Sequence, residues 1–232
     1  MGEQIVILTG AGISAESGLG TFRDEGGLWA QHRIEDVATP EGFERNPELV
    51  LGFYNQRRAE AAAATPNAAH VALTALEAKH EVLIVTQNVD GLHEAAGAQN
   101  VLHMHGSLAQ AMCAACAARW EAPMVMQVSD PCPHCGAQAT RPDIVWFGEI
   151  PYGMEKIDAA LSKATLFAAI GTSGNVYPAA GFVAEARRLG LPTVEMNLEP
   201  SAGHSLFDDL RLGPASETVP AWVNELAAKS TS

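Results

Sequence analysis

The chain has 232 residues, 47% of them hydrophobic and 18% charged, with a formal net charge of −13. That is material for one large domain, or for one large and one small, around a substantial core. No run approaches ~18 consecutive apolar residues, which excludes a membrane-spanning helix, and so acidic a surface repels phosphate backbones and argues against direct nucleic-acid binding.

The opening "MGEQIVILTG" has no basic stretch before its apolar run, so it does not read as a signal peptide, and a cytoplasmic location is expected. Its "QIVILT" (4–9) is the first predicted strand. Gly10-Ala11-Gly12-Ile13-Ser14-Ala15 follows at once and fits G-x-G-x-x-[GA]. The first glycine permits a tight turn, the second lets a pyrophosphate approach, and a small third residue lets helix and strand pack. A plain tight turn satisfies the same pattern, but its place after the first strand favours a dinucleotide site. A dehydrogenase should next show a strand ending in an acid about 20 residues on. Here "SGLGTFRDEGGLWAQHR" intervenes, and the next convincing strand begins only at Glu81.

Residues 25–65 carry helical pattern without a strand, as in "NPELVLGFYNQRRAEAAAAT" (46–65). A helix is predicted over 66–80, with Thr65 as N-cap and Pro66 at its first position. "EVLIVT" (81–86) and "NVLHMH" (100–105) read as strands. Residues 107–148 are rich in Cys, Pro and Ala and show little periodicity. Further strands are predicted at 166–171, 192–197 and 216–220, with a helix over 178–190 that ends at Gly190. The strands are apolar without clean alternation, as strands buried on both faces read. Alternating strand and helix predict an α/β fold: a Rossmann-like, doubly wound parallel sheet. Its domain comprises 1–24, 66–106 and 149–232, and the insertions 25–65 (helical) and 107–148 (zinc-binding) form a smaller lobe.

The four cysteines, Cys113, Cys116, Cys132 and Cys135, stand as C-x2-C-x15-C-x2-C. Two such knuckles give tetrahedral thiolate ligation of a structural zinc, whereas paired disulfides are rare in a cytosolic protein. A four-thiolate site is closed, so no cysteine remains as a nucleophile. His134, inside the second knuckle, reads as a bystander. The residues around the knuckles are neutral or acidic apart from Arg119, so the ribbon lacks the basic stripe of a nucleic-acid module.

In an open α/β sheet, ligands bind beyond the carboxyl ends of the strands. Four predicted ends carry polar clusters: "TQNVDGLH" with Gln87, Asn88 and Asp90; "HMHGS" with His105; "GTSGNV" with Gly171, Thr172 and Ser173; and "NLEPS". One such end is ordinary turn chemistry; four together predict a cleft. His103 and His105 share strand parity, and His105, beside Gly106, is the candidate general base. Asn175 spoils a G-x-S-x-G elbow, and no P-loop sequence occurs.

"GAGISAESGLGTFR", "TQNVDGLH", "HMHG", the cysteine knuckles, "VWFGE", "GTSGNVYPAAG" and "NLEPS" together resemble the sirtuin family of NAD-dependent protein lysine deacylases, in the family's order. The likeness is strongest to small bacterial members and to the class that removes acidic acyl groups. The resemblance implies NAD held by Gly10, Ala11, Gly12, Ile13, Phe22, Arg23, Trp29, Gln87, Asn88, Asp90, Gly171, Thr172, Ser173, Asn197, Leu198 and Ala215. It implies catalytic roles for His105, Asn88 and Asp90, and a substrate peptide lying along Val145, Phe147 and Gly148 on one side and Gly174 and Val176 on the other. NAD would be consumed, with release of nicotinamide and O-acyl-ADP-ribose, and the partners would be acyl-lysine proteins acted on by a monomer. Tyr54 and Arg57, at i and i+3 on one helix face, match the Tyr-x-x-Arg of members that accept succinyl- or malonyl-lysine. From spacing alone they read as an exposed Arg and a half-packed Tyr. Asp24 and Glu25 depart from the small residues that relatives place beside the acyl pocket, so deacetylation and desuccinylation are both expected. A mono-ADP-ribosyltransferase on this scaffold and a zinc-containing dehydrogenase are the alternatives; the missing ribose acid argues against the second.

Overall fold

Gln4–Thr9 forms β1, buried at every position after Gln4. Ile5 and Ile7 enter one apolar cluster while Val6 and Leu8 enter another on the opposite face. This two-sided burial is why "QIVILT" shows no alternation. The computed structural model describes residues 2–21 and 31–229. Within them β1 is followed by the short helix α1 (Gly12–Ala15), then by α2 (Ile34–Val37), α3 (Pro40–Arg45) and α4 (Pro47–Ala63). The side chains of Thr39 and Asn46 cap α3 and α4 by accepting backbone N–H bonds from Gly42 and Leu49.

The chain returns through α5 (Ala68–Glu77) to β2 (Glu81–Thr86), α6 (Leu92–Ala95) and β3 (Val101–His103). The predicted cap of α5 is corrected: Asn67, not Thr65, is the N-cap, in a reciprocal capping box with His70. The strand predicted over 100–105 stops at His103, because the chain turns there into β4 (Gly106–Cys113). With β5 (Arg119–Glu121) and β6 (Thr140–Ile144), β4 makes a three-stranded antiparallel sheet in the order β5-β4-β6. The segment is thus more regular than its sequence shows. Pro142 lies on the edge strand β6, where a missing N–H is tolerated.

The remaining elements are α7 (Met154–Leu161), β7 (Leu166–Ile170), α8 (Phe182–Arg188), β8 (Thr193–Asn197), β9 (Asp209–Leu212) and α9 (Ala215–Lys229). All six strands of the large sheet run parallel, in the order β3-β2-β1-β7-β8-β9. α5 and α9 cover one face; α7 and α8 cover the other. The strand expected at 216–220 is overturned: those residues lie in α9. Thr218 and Val219 mimic strand composition, but Val219, Trp222, Val223 and Leu226 form a helical stripe packed into the core. The true last strand, β9, was hidden because it is an edge strand with mostly exposed, charge-alternating residues.

No helix among the described residues is long and apolar enough to cross a membrane.

Candidate active site

The strand order reverses direction between β1 and β7, so their carboxyl ends flank a topological switch point. The two loops interlock there. Gly12 donates its N–H to the Gly171 carbonyl at 2.9 Å. A Cβ at Gly12 would sit 2.7 Å from Gly171 Cα, and one at Gly171, whose φ is +63°, would sit 2.4 Å from Ile13 N. Gly12 is therefore required by the protein's own packing before any ligand arrives.

Beneath this turn lies a buried polar floor. Asn88 Nδ2 donates to the Gly10 carbonyl and to Ser14 Oγ, both at 3.1 Å. Ser14 Oγ donates to Asp90 Oδ2 at 3.1 Å, and Asp90 Oδ1 accepts the Leu92 N–H. Asn88 and Asp90 are each 8% exposed. Gln87 donates its backbone N–H to the Thr9 carbonyl at 2.9 Å, which ties the β2 end to the β1 end. Asn67 holds the other side of the turn, donating to the Ile13 carbonyl at 2.7 Å and to Ser17.

The two candidate histidines part company. His103 has Nδ1 3.0 Å from the Asn88 carbonyl and Nε2 2.8 Å from Glu94. Both partners are acceptors, so both ring nitrogens must donate and the ring is an imidazolium. Burial opposes that charge, but the Glu94 contact outweighs it and holds the His103 pKa above its usual value. His105 has only one such bond: Nδ1 lies 3.2 Å from the Gln87 carbonyl. That carbonyl fixes the proton on Nδ1 and leaves Nε2 as an acceptor. Burial lowers the His105 pKa, which favours the neutral ring. Only His105 can take a proton.

Thr172 is buried and Gly171 and Ser173 are half-buried at the β7 end. Asn197, closing β8, donates to the Thr172 carbonyl at 2.6 Å. Leu198 stands 70% exposed beyond it. Ala215 opens α9, whose first turn is bound to α1 through Ser216 and Glu16. The expected positions Phe22, Arg23 and Trp29, with Asp24 and Glu25, lie outside the described residues.

The 145–148 segment is tied to the His105 backbone: Val145 N–H donates to the His105 carbonyl and Phe147 N–H to that of Ala38. Phe147 is exposed, as is Gly148. Gly174 and Val176, half-buried, lie on the loop after β7. Tyr54 and Arg57 differ from their reading by spacing alone. Tyr54 is fully buried rather than half-packed, and Trp146 Nε1 donates to its hydroxyl oxygen at 3.0 Å. Burial pushes its pKa up to about 12, so the phenol is protonated. Arg57 is half-buried rather than exposed, and its pKa is lowered by burial, against the favourable influence of the Asp90 and Glu60 carboxylates.

The four cysteine sulfurs all lie within 4.8 Å of one another. Cys113 and Cys135 are 3.7 Å apart and Cys116 and Cys132 3.8 Å, far beyond an S–S bond of about 2.05 Å. Each knuckle folds alike: Ala117 and Gly136 donate to the carbonyls of Cys113 and Cys132, and both have positive φ. This is the donor set and spacing of a tetrahedral zinc site, and it leaves no thiol for chemistry. His134 is exposed; its side chain takes no place among the ligands, while its backbone N–H donates to Cys132 Sγ.

Sequence reasoning did not single out Ser14, Asn67, Trp146 or the His103–Glu94 pair. Ser14 and Asn67 are small polar residues whose partners lie 76 and 54 positions away, a separation that spacing cannot signal. Glu94 had a signal: on α6, "DGLHE" sets a carboxylate close behind the polar turn.

The fold defines a class: an α/β protein with a parallel sheet, a glycine turn at its switch point, and a small antiparallel lobe carrying a four-cysteine cluster. The Sir2 family model matches residues 10–178. An NAD-dependent protein deacylase of Caulobacter vibrioides is 55% identical, across 97% of this chain and 98% of that one. A Sir2 homologue in complex with NAD is 35% identical with a TM-score of 0.89, covering 98% of this chain and 90% of the other. A Sir2 variant with a deacetylated p53 peptide and 3′-O-acetyl ADP ribose is 28% identical with a TM-score of 0.82, covering 95% and 92%. The chain belongs to the Sir2 family.

Proposed function

We infer that this chain is an NAD-dependent deacylase of protein lysines, acting on acetyl groups and on the acidic succinyl or malonyl groups. The observation that carries the reading is His105: a neutral imidazole with Nε2 available, at the rim of a cleft floored by Asn88, Asp90 and Ser14. The residues fit a dinucleotide. The glycine turn meets the β7 loop without side chains between them, and the polar floor lies directly below.

NAD, when bound, supplies a ribose–nicotinamide bond whose leaving group departs neutral, and the acyl-lysine oxygen takes its place at the sugar. Gly10, Ala11, Gly12 and Ile13, with Gly171, Thr172 and Ser173, would hold the phosphates. Asn197, Leu198 and Ala215 would border the adenosine; the cofactor roles expected of Phe22, Arg23 and Trp29 fall outside the described residues. Gln87, Asn88 and Asp90 orient the nicotinamide end and its ribose. His105 Nε2 would accept a proton from a ribose hydroxyl, freeing that oxygen to bond the acyl carbon; the bond from that carbon to the lysine nitrogen then breaks, the amine leaves, and water supplies the oxygen that completes the ester. The peptide would add as a strand between Val145, Phe147 and Gly148 on one side and Gly174 and Val176 on the other, the acyl-lysine directed inward. No protein nucleophile is needed, in keeping with thiols that are all committed to the cysteine cluster.

For the acyl group, Tyr54 and Arg57 supply a phenol donor and a guanidinium on the same face of α4. A carboxylate terminus pairs with both; a methyl terminus pairs with neither. The test is to incubate the zinc-loaded enzyme with NAD and paired acetyl- and succinyl-lysine peptides. Mass spectrometry follows nicotinamide and deacylated product. Arg57→Met is expected to cut desuccinylation at least about tenfold more than deacetylation, the loss of one charge-assisted hydrogen bond. Equal losses would show that Arg57 does not read acyl charge. His105→Asn abolishes both activities if His105 is the base.

A further inference from the structure

Tyr54 is useful to a carboxylate only if its hydroxyl donates. A phenol proton lies near the ring plane, so it has two stable directions, and its oxygen can serve either as donor or as acceptor. The surroundings decide between them. Trp146 is 2% exposed, and its indole N–H, which can only donate, points at Tyr54 Oη from 3.0 Å. The Tyr54 oxygen is therefore the acceptor in that bond. Its own proton must turn to the opposite side, and among the described residues it meets no acceptor there.

Trp146 is itself clamped. The Arg141 guanidinium carbon lies 3.6 Å above the indole ring. Arg141 is bound to Glu149 by two hydrogen bonds of 2.6 and 2.9 Å and to the Ile144 carbonyl at 2.7 Å. Glu149 also accepts the backbone N–H of Trp146 at 2.8 Å. Phe43 packs against the indole with ring centroids 5.2 Å apart. The indole cannot swing away, so the direction of the Tyr54 proton is built into the small lobe.

We propose that Trp146 is a specificity-determining positioning residue: by donating to the Tyr54 oxygen, it obliges the phenol to donate toward the acyl terminus, and so favours acyl groups that end in a carboxylate. This rests on the assignment of Tyr54 and Arg57 to the acyl group. An acetyl methyl offers no acceptor and gains nothing from the arrangement. The raised Tyr54 pKa is consistent with a phenol that stays protonated through the working range.

The test is steady-state kinetics on matched acetyl- and succinyl-lysine peptides with Trp146→Phe, Tyr54→Phe, the double variant and Arg57→Met. Trp146→Phe is expected to raise KM for the succinyl peptide by about tenfold, with kcat/KM for the acetyl peptide within about twofold, because one oriented hydrogen bond is lost. In the Tyr54→Phe background the same change should leave the succinyl-to-acetyl ratio unmoved, since no proton remains to direct. Benzothienylalanine at position 146 keeps the shape of the indole and removes only the N–H, and should reproduce the Trp146→Phe result. Equal losses for both peptides in the benzothienyl protein, or effects that add to those of Tyr54→Phe, overturn the proposal. If Tyr54→Phe and Arg57→Met themselves leave the acyl preference unchanged, the underlying assignment fails instead.

Discussion

Across the six-stranded sheet, interior positions belong to branched aliphatics: Ile5, Ile7, Ile84 and Ile170 are at most 1% exposed. In the small lobe the interior is shared with charge. Arg58, Arg141 and Asp143 are buried there, and strands of three to eight residues enclose a metal-type cluster. Arg58 links the lobe's two halves. It donates to the Leu108 carbonyl at 2.8 Å, to Asn55 at 2.9 Å and to the Met124 carbonyl, while Asn55 exchanges two 2.9 Å bonds with the Met126 backbone. The large sheet is held by non-directional burial, which tolerates local change. The lobe is held by directional bonds, which fix side chains closely and fail together. Tyr54 and Trp146, the residues proposed to read the acyl terminus, stand on the second kind of support.

The largest way to break this contrast is at the metal cluster. Cys132→Ser, or stripping the ion with a chelator, should abolish deacylation and remove hydrogen-exchange protection from β4 to β6, while β1 and β2 stay protected. Uniform loss of protection would mean that the two regions are not separately supported. Acid is the converse probe, because the large region has its own polar weak point. His70 and His93 are buried against each other with ring centroids 5.0 Å apart, and His93 is held by Thr9. Burial lowers both pKa values, that of His93 to about 3 from 6.5. Between those values the unfolded chain binds more protons than the folded one, so stability is complete above about pH 6.5 and declines as pH falls. At pH 4 the loss from His93 should be roughly 3 kcal/mol, at about 1.4 kcal/mol per pH unit. Urea titrations of the wild type and His93→Gln check it; the variant's stability should depend less on pH over this range.

Arg58→Met is expected to cost about 2 kcal/mol by leaving buried carbonyls unpaired. The cost should show as faster exchange in α4 and residues 122–128, with the large sheet unaffected. Smallest is Ala117→Gly. Ala117 carries a side chain at φ 59° where the matching knuckle residue is Gly136. Glycine there should stabilise the lobe by about 1 kcal/mol, read as a small rise in Tm.

Local signals carried the parallel sheet and the metal cluster. Two-sided burial writes itself as uninterrupted apolar runs, and C-x2-C spacing is set by the geometry of one metal ion. The edge strand β9 and helix α9 were misread because Thr218 and Val219 have strand composition while Leu210 and Leu212 alternate with charges. At the site, the position beside Gly106 is what singles out His105 rather than His103 as the candidate base in the sequence. The hydrogen bonding that separates the two rings, with Glu94 reaching His103 and not His105, leaves no mark there. Trp146 stands within "VWFGE", yet its hydrogen bond to a residue 92 positions earlier has no trace in local spacing.

The most direct measurement is the stoichiometry of one reaction mixture: purified, zinc-loaded protein, NAD, and an acyl-lysine peptide present or withheld. The expected result is one nicotinamide released per lysine unmasked, little release when the peptide is withheld, and no NADH at any time. Accumulation of NADH, or nicotinamide release indifferent to the peptide, would contradict the account.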